Sequence, residues 1–251
     1  MADAGASRDQ REPAREAGWA ERGAVKLAGL LLVVGFFINL TVTMLWHPAG
    51  AEDDHAKIFT EYANSDGWIA THFGQLLGVI VAIAGLYVLC RVLSTPGRLN
   101  VLARLAGFAL IATATSFAIL QAVDGITLKY ATEAWLGSSG SEQEIRFADA
   151  ETVRWTEWGL QSYFRVLLGL SLVLVDAAIA TTRVLAGWLG WLAALAGVLS
   201  VAVGIDVGYS GLESGFQDSV GLGSQLVLAV FAIGILVAGY RDRNQNSAAP
   251  S

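Results

Sequence analysis

The chain has 251 residues, 54% of them hydrophobic and 15% charged, with a net charge of −6 and a mean hydropathy of +0.53. A soluble domain carries about 25% charged residues, so an apolar excess gathered in long runs excludes an ordinary water-soluble core and points to bilayer-facing surface. Negative charge without a Lys/Arg-rich tract argues against nucleic-acid partners, and a single cysteine, Cys90, excludes a disulfide framework and a Cys-cluster metal site.

Residues 1–23 are polar and mixed in charge, and read as a disordered cytoplasmic tail. The run from Leu27 to Trp46 is too long for a signal h-region and reads as an uncleaved first span, 27–46. The loop that follows contains Glu52-Asp53-Asp54-His55. It then offers a short amphipathic helix, with Ile58, Phe59 and Tyr62 on its apolar edge, expected on the membrane surface or over a pocket mouth. Ser65-Asp66 is expected to cap span two, 69–93, and Thr95-Pro96-Gly97 to turn the chain into span three, 101–123. Residues 124–135 read as an outward extension of that helix, and 137–141 as a break in the longest loop. Ser141-x-x-Glu144 has the form of a capping box for a helix leading into span four, 158–180. Spans five and six follow at 185–207 and 220–240, before a cytoplasmic tail at 241–251. The expected fold is an all-α polytopic membrane bundle, residues 24–240, with six transmembrane helices.

Basic residues give the direction. Arg8, Arg11, Arg15, Arg22, Lys26, Arg91, Arg98, Arg104, Arg183, Arg241 and Arg243 gather on one side, against Lys57, Lys129, Arg146 and Arg154 on the other. Both termini are therefore expected in the cytoplasm, with the protein in the cell membrane. Trp46, Trp68, Trp155 and Trp158 fall at outer span ends and Trp188 and Trp191 at an inner end, as an interfacial aromatic belt would. Segments 72–78 and 163–169, both ending Leu-Leu-Gly, suggest a duplicated helix pair.

Ionisable groups inside a span cost at least a few kcal/mol unless paired or hydrated, so they mark candidate sites. Arg165 lies about 10 Å inside span four at 1.5 Å per residue. Glu157, Gln161, Arg165 and Asp176 share an arc of about 100°, and Thr113, Phe117, Gln121 and Asp124 one of about 80° in span three. His72 and Gln75 share a face of span two, Asp206 and Tyr209 close span five, and Gln225 begins span six. The simplest packing joins these in one outward-facing polar pocket above an apolar inner half. Arg165, Gln161, Gln121, Asp124, His72 and Gln75 are its expected ligand-binding residues. The alternative is a structural ion pair of Arg165 with Asp124, Asp206 or Glu157. His47, His55 and His72 are weak metal candidates, since no His-x-x-x-His spacing accompanies them. No nucleotide-binding, zinc-protease or serine-hydrolase motif is present, and no cofactor is implied.

The segments Tyr62-Ala-Asn-Ser-Asp-Gly-Trp68, His72-Phe-Gly-Gln-Leu-Leu-Gly78 and Gln121-Ala-Val-Asp-Gly125 resemble a domain-of-unknown-function family of six-helix prokaryotic membrane proteins, common in actinobacteria. The resemblance implies a helical membrane bundle over residues 25–240 and transfers no activity. Three functions stay open. The first is binding or transport of a small molecule or lipid in the polar pocket. The second is an enzyme acting on a lipid-like or isoprenoid substrate, with Asp124, Glu157 or Asp206 as general acid. The third is a structural or partner subunit.

Overall fold

The computed structural model describes residues 11–47, 54–94 and 100–241. The expected turn at Thr95-Pro96-Gly97, the acids Glu52 and Asp53, and the tail beyond Arg241 lie outside the described residues. The chain runs through α1 (Arg11–Trp46), α2 (His55–Ala63), α3 (Trp68–Leu93) and α4 (Val101–Ala122). A π-helical turn (Val123–Leu128) joins α4 to α5 (Lys129–Leu136), and α6 (Ser141–Thr182), α7 (Gly187–Ser210) and α8 (Gly215–Tyr240) complete it. Six segments are long and apolar enough to cross a bilayer: α1, α3, α4 with its continuation, α6, α7 and α8. The protein is an integral, multi-pass membrane protein with an all-α fold.

Helix starts differ from the expectations in three places. Among the described residues the first helix already runs from Arg11, so 11–23 of the stretch expected to be disordered is helical. Residues 11–17 are Arg, Glu and Ala, good helix formers, around one proline. α3 follows Gly67 with no side-chain cap, and Ser65 contributes its carbonyl to Trp68 N instead. Ser141 is the first residue of α6 and not its cap, because Gly140, at φ 62°, turns the chain into the helix. At the other end, Asn100 caps α4 through Leu102 N and Ala103 N, and its amide donates to Ala178 O and Thr181 Oγ1. One side chain thus fastens α4 to the end of α6.

The spans form a closed ring in chain order. Each packs chiefly on its neighbours, and α8 closes against α1. The inner half is filled by apolar side chains from all six spans, including Leu32, Leu89, Leu110, Leu172, Ala193 and Phe231. Close approach of α6 and α7 depends on Gly169 and Gly197, where an added Cβ would run into the facing helix's backbone carbonyl. Gly78, in the segment thought to be duplicated, instead meets α1. Gly78 faces Gly35 of the preceding span as Gly169 faces Gly197 of the following one, so the two Leu-Leu-Gly segments share a close-packing role but not the direction of their partner.

α6 has 42 residues, about 63 Å at 1.5 Å per residue, against a hydrocarbon core of about 30 Å. The excess stands beyond the outer end with α5, and the two hold α2 between them. Ile58, Phe59, Tyr62, Trp68, Leu128 and Ala150 are the buried centre of this cap, with Trp135, Phe147 and Val153 packed against them. The amphipathic helix α2 therefore turns its apolar edge to protein. Lys129 Nζ bonds the carbonyls of Tyr62, Ala63 and Ser65 at 2.9, 2.9 and 3.0 Å, and so satisfies the open end of α2.

Gly169→Leu is expected to destabilise the bundle by about 1–3 kcal/mol or more, the cost of overpacking a tight contact. Gly159→Leu, on the same helix but with nothing within 4 Å of a new Cβ, is expected to leave it unchanged. Thermal unfolding in non-ionic detergent compares the two.

Candidate functional site

The end carrying α2 and α5 is called outer here, after the loop charges. Directly beneath the cap, α3 meets the π-turn. His72 Nδ1 lies 2.8 Å from Trp68 O, which can only accept, so that nitrogen carries a proton. His72 Nε2 lies 3.0 Å from Asp124 Oδ2, with one proton between imidazole and carboxyl. Trp68 Nε1 donates to the Asp124 carbonyl at 3.1 Å. The π-turn thus presents one of its backbone carbonyls to fix an indole. Gly125 is needed at this place, since a Cβ there would strike the His72 side chain.

Aromatic rings and two further acid–base pairs surround the dyad. His47 packs against Trp68 and His72, with ring centroids 5.2 and 5.7 Å away. Arg154, 1% exposed, pairs with Glu157 and lies over the rings of Tyr62 and Trp158. His55 Nδ1 bonds Glu151 Oε1 at 2.8 Å. Trp68 is fully buried, not interfacial, so its place at a span end follows from this network. Trp46, Trp155, Trp188 and Trp191 are exposed at span ends, as a belt requires.

Arg154, like Lys129, is buried in the fold although the sequence presents it only as a loop charge. Its signal was present in the spacing: Arg154 and Glu157 are three apart, the separation at which helical side chains meet. The three histidines do not converge. His47 and His72 are neighbours but His55 is engaged elsewhere, and among the described residues no group of three or more His, Cys, Asp or Glu side chains is placed to hold a metal.

The remaining candidates are spread along the bundle, each bonded or placed on its own helix pair. Gln75 donates to Thr43 Oγ1 at 3.0 Å, joining α3 to α1. Thr113 and Ser171 hydroxyls meet at 3.2 Å between α4 and α6. Asp206 accepts from Ser214 Oγ and from Gln217 Nε2, the latter at 2.9 Å, and so clamps the short α7–α8 connection. Tyr209 and Gln225 are exposed, and Asp176 lies toward the inner end beside Gly190. Arg165 forms no ion pair among the described residues: Asp124 is bonded to His72, Glu157 to Arg154 and Asp206 to the α7–α8 loop.

A groove of about 90 Å³ opens between α3 and α4, lined by Ile69, His72, Phe73, Leu76, Ala118, Gln121, Ala122 and Ile126. Phe73 and Ile126 are 58% and 38% exposed, so its mouth faces the hydrocarbon side of the bundle. Gln121 Oε1 and Asp124 Oδ1 are buried without a hydrogen-bond partner. Of the three general-acid candidates, Asp124 alone adjoins this groove, through His72. No family model, curated protein or solved structure matches the chain.

Arg154→Ala is expected to cost about 3–5 kcal/mol, because it strands a buried carboxylate. Arg154→Met combined with Glu157→Leu is expected to recover most of that loss. Melting temperatures of the three proteins in detergent check the sign and order.

Proposed function

We propose that the protein binds a lipid-like small molecule that enters sideways, from the outer leaflet of the cell membrane, into the groove between α3 and α4. The observation that carries this is the groove's composition: His72 and Gln121 set in an otherwise apolar lining that opens between Phe73 and Ile126. Binding sites for small molecules are mostly apolar with a few placed polar groups. Gln121 Oε1 has no partner, and a buried acceptor in that state is satisfied by a ligand hydroxyl, amide or ammonium. The cavity equals roughly three water volumes at about 30 Å³ each. It admits a polar head or a few methylenes while the rest of the molecule stays in the bilayer. The packed inner half supports binding over passage.

One observation favours an enzyme as the second reading. Asp124 Oδ1 is buried and unbonded next to the groove, where a carboxyl could serve a lipid-like substrate as general acid. A purely structural role is disfavoured by the same unsatisfied atoms.

Native mass spectrometry of gently purified protein tests the reading. A co-purifying lipid-like molecule is expected, with occupancy at least tenfold lower in Ala118→Trp, which fills the groove, and reduced in Gln121→Leu. Equal occupancy in wild type and Ala118→Trp would sink the proposal. The proposed orientation has its own check. Ser139→Cys, in the turn before α6, is expected to react with an impermeant maleimide on intact cells, while buried Cys90 stays unlabelled. Reaction only after lysis would reverse the topology.

A further inference from the structure

The outer half of α6 carries a second feature that the groove does not use. Trp158 Nε1 and Arg165 Nε are both buried donors with no acceptor. Gln161 lies between them, and its amide makes no hydrogen bond among the described residues. At 100° per residue the three fall within an arc of about 60°, and at 1.5 Å per residue they extend over about 10 Å of helix. They form a ladder of donors on one face. Each of the three residues is partly exposed, while the indole and guanidinium Nε donors themselves are buried. At its top, Trp158 meets the ring of His55, 5.6 Å away, whose Nε2 is also buried without a partner. At its foot, Arg165 rests against Gly204 of α7, and Leu172, two turns further in, belongs to the sealed core.

Charge makes the ladder unusual. A guanidinium cannot shed its proton, and a charge at this depth costs a few kcal/mol unless it is neutralised. The carboxylates that could do so are committed: Asp124 to His72, Glu157 to Arg154, Glu151 to His55 and Asp206 to Ser214 and Gln217. Asp176 is eleven residues further along α6, about 16 Å towards the inner end.

We propose that Trp158, Gln161 and Arg165 form a binding site for an oxyanion-bearing ligand, with the anion on Arg165 and an acceptor group of the same molecule on Trp158 and Gln161. A planar guanidinium pairs with phosphate or carboxylate through two parallel hydrogen bonds. The anion belongs to a lipid headgroup or to a soluble molecule descending from the cap. The chemistry is the same in both cases, and the site is separate from the α3–α4 groove.

Full-length protein, delipidated in a non-ionic maltoside micelle that contributes no phosphate, is titrated with inorganic phosphate and, separately, with dihexanoyl phosphatidic acid. Melting temperature is the readout. Wild type is expected to rise by several degrees and saturate with at least one of them. Stabilisation by phosphatidic acid alone assigns a lipid headgroup, and stabilisation by both assigns a free anion. Arg165→Gln is expected to lose the response. Trp158→Phe, which keeps the ring and removes the donor, and Gln161→Leu are each expected to raise the half-saturating concentration about tenfold. Without ligand, Arg165→Gln is expected to melt at or above wild type, since it removes an unneutralised charge. A hidden structural ion pair predicts the reverse. No stabilisation of wild type by either probe, or equal stabilisation of Arg165→Gln, overturns the proposal. Should Arg165→Gln fail to fold, Arg165→Lys supplies the same comparison, with weakened rather than absent binding expected. Ala118→Trp is expected to leave the anion response intact, which separates failure here from failure of the groove.

Discussion

Inside a bilayer a polar side chain has no water to fall back on, and that rule decides where this protein's polar groups go. Most have found each other across helix boundaries. Gln75 reaches Thr43, Thr113 reaches Ser171, Ser200 reaches the Arg165 carbonyl, and Asn100 ties α4 to the end of α6. Each is a fastener between neighbours in the ring, of a kind worth about 0.6–2 kcal/mol in membrane bundles. Against that background the unsatisfied atoms of Gln121, Asp124, Trp158 and Arg165 stand out, and all lie in the outer half.

The spans were legible in the sequence because hydrocarbon demands long apolar runs, and nothing else in a chain of this size produces six of them. The apolar inner half was legible for the same reason. His72, Gln121, Asp124 and Arg165 were recognisable as polar residues at improper depth. Their pairings were not. Helical arcs report which face a residue occupies on its own helix but not which helix that face meets. The arcs therefore suggested one pocket where the ring order separates Gln75, Asp206 and Gln225. The π-turn at Val123–Leu128 was invisible for a further reason: its sequence is compatible with ordinary helix, and the groups it meets, Trp68 and His72, lie on another helix.

The cap shows how two misread charges conceal a whole substructure. Counted as loop residues, Lys129 and Arg154 served only to orient the chain. In the fold, Lys129 closes the end of α2 and Arg154 sits at the cap's floor between Tyr62, Trp158 and Glu157. Both are buried cations doing the work of hydrogen-bond hubs, and their long stems let them act from the helix extensions.

Two helices carry that cap, and they are built differently. α6 runs from Ser141 to Thr182 without a proline or a break, so it acts as a stiff rod fixed to the inner core. The other support passes through the π-turn, whose wider winding makes it a joint. Of the two supports, only the π-turn at Val123–Leu128 interrupts the regular helix, so a displacement of the cap against the bundle would fall there before it fell on α6. Asp124 sits in that joint, so any swing of the cap changes first the distance between its carboxyl and His72, at the edge of the membrane groove.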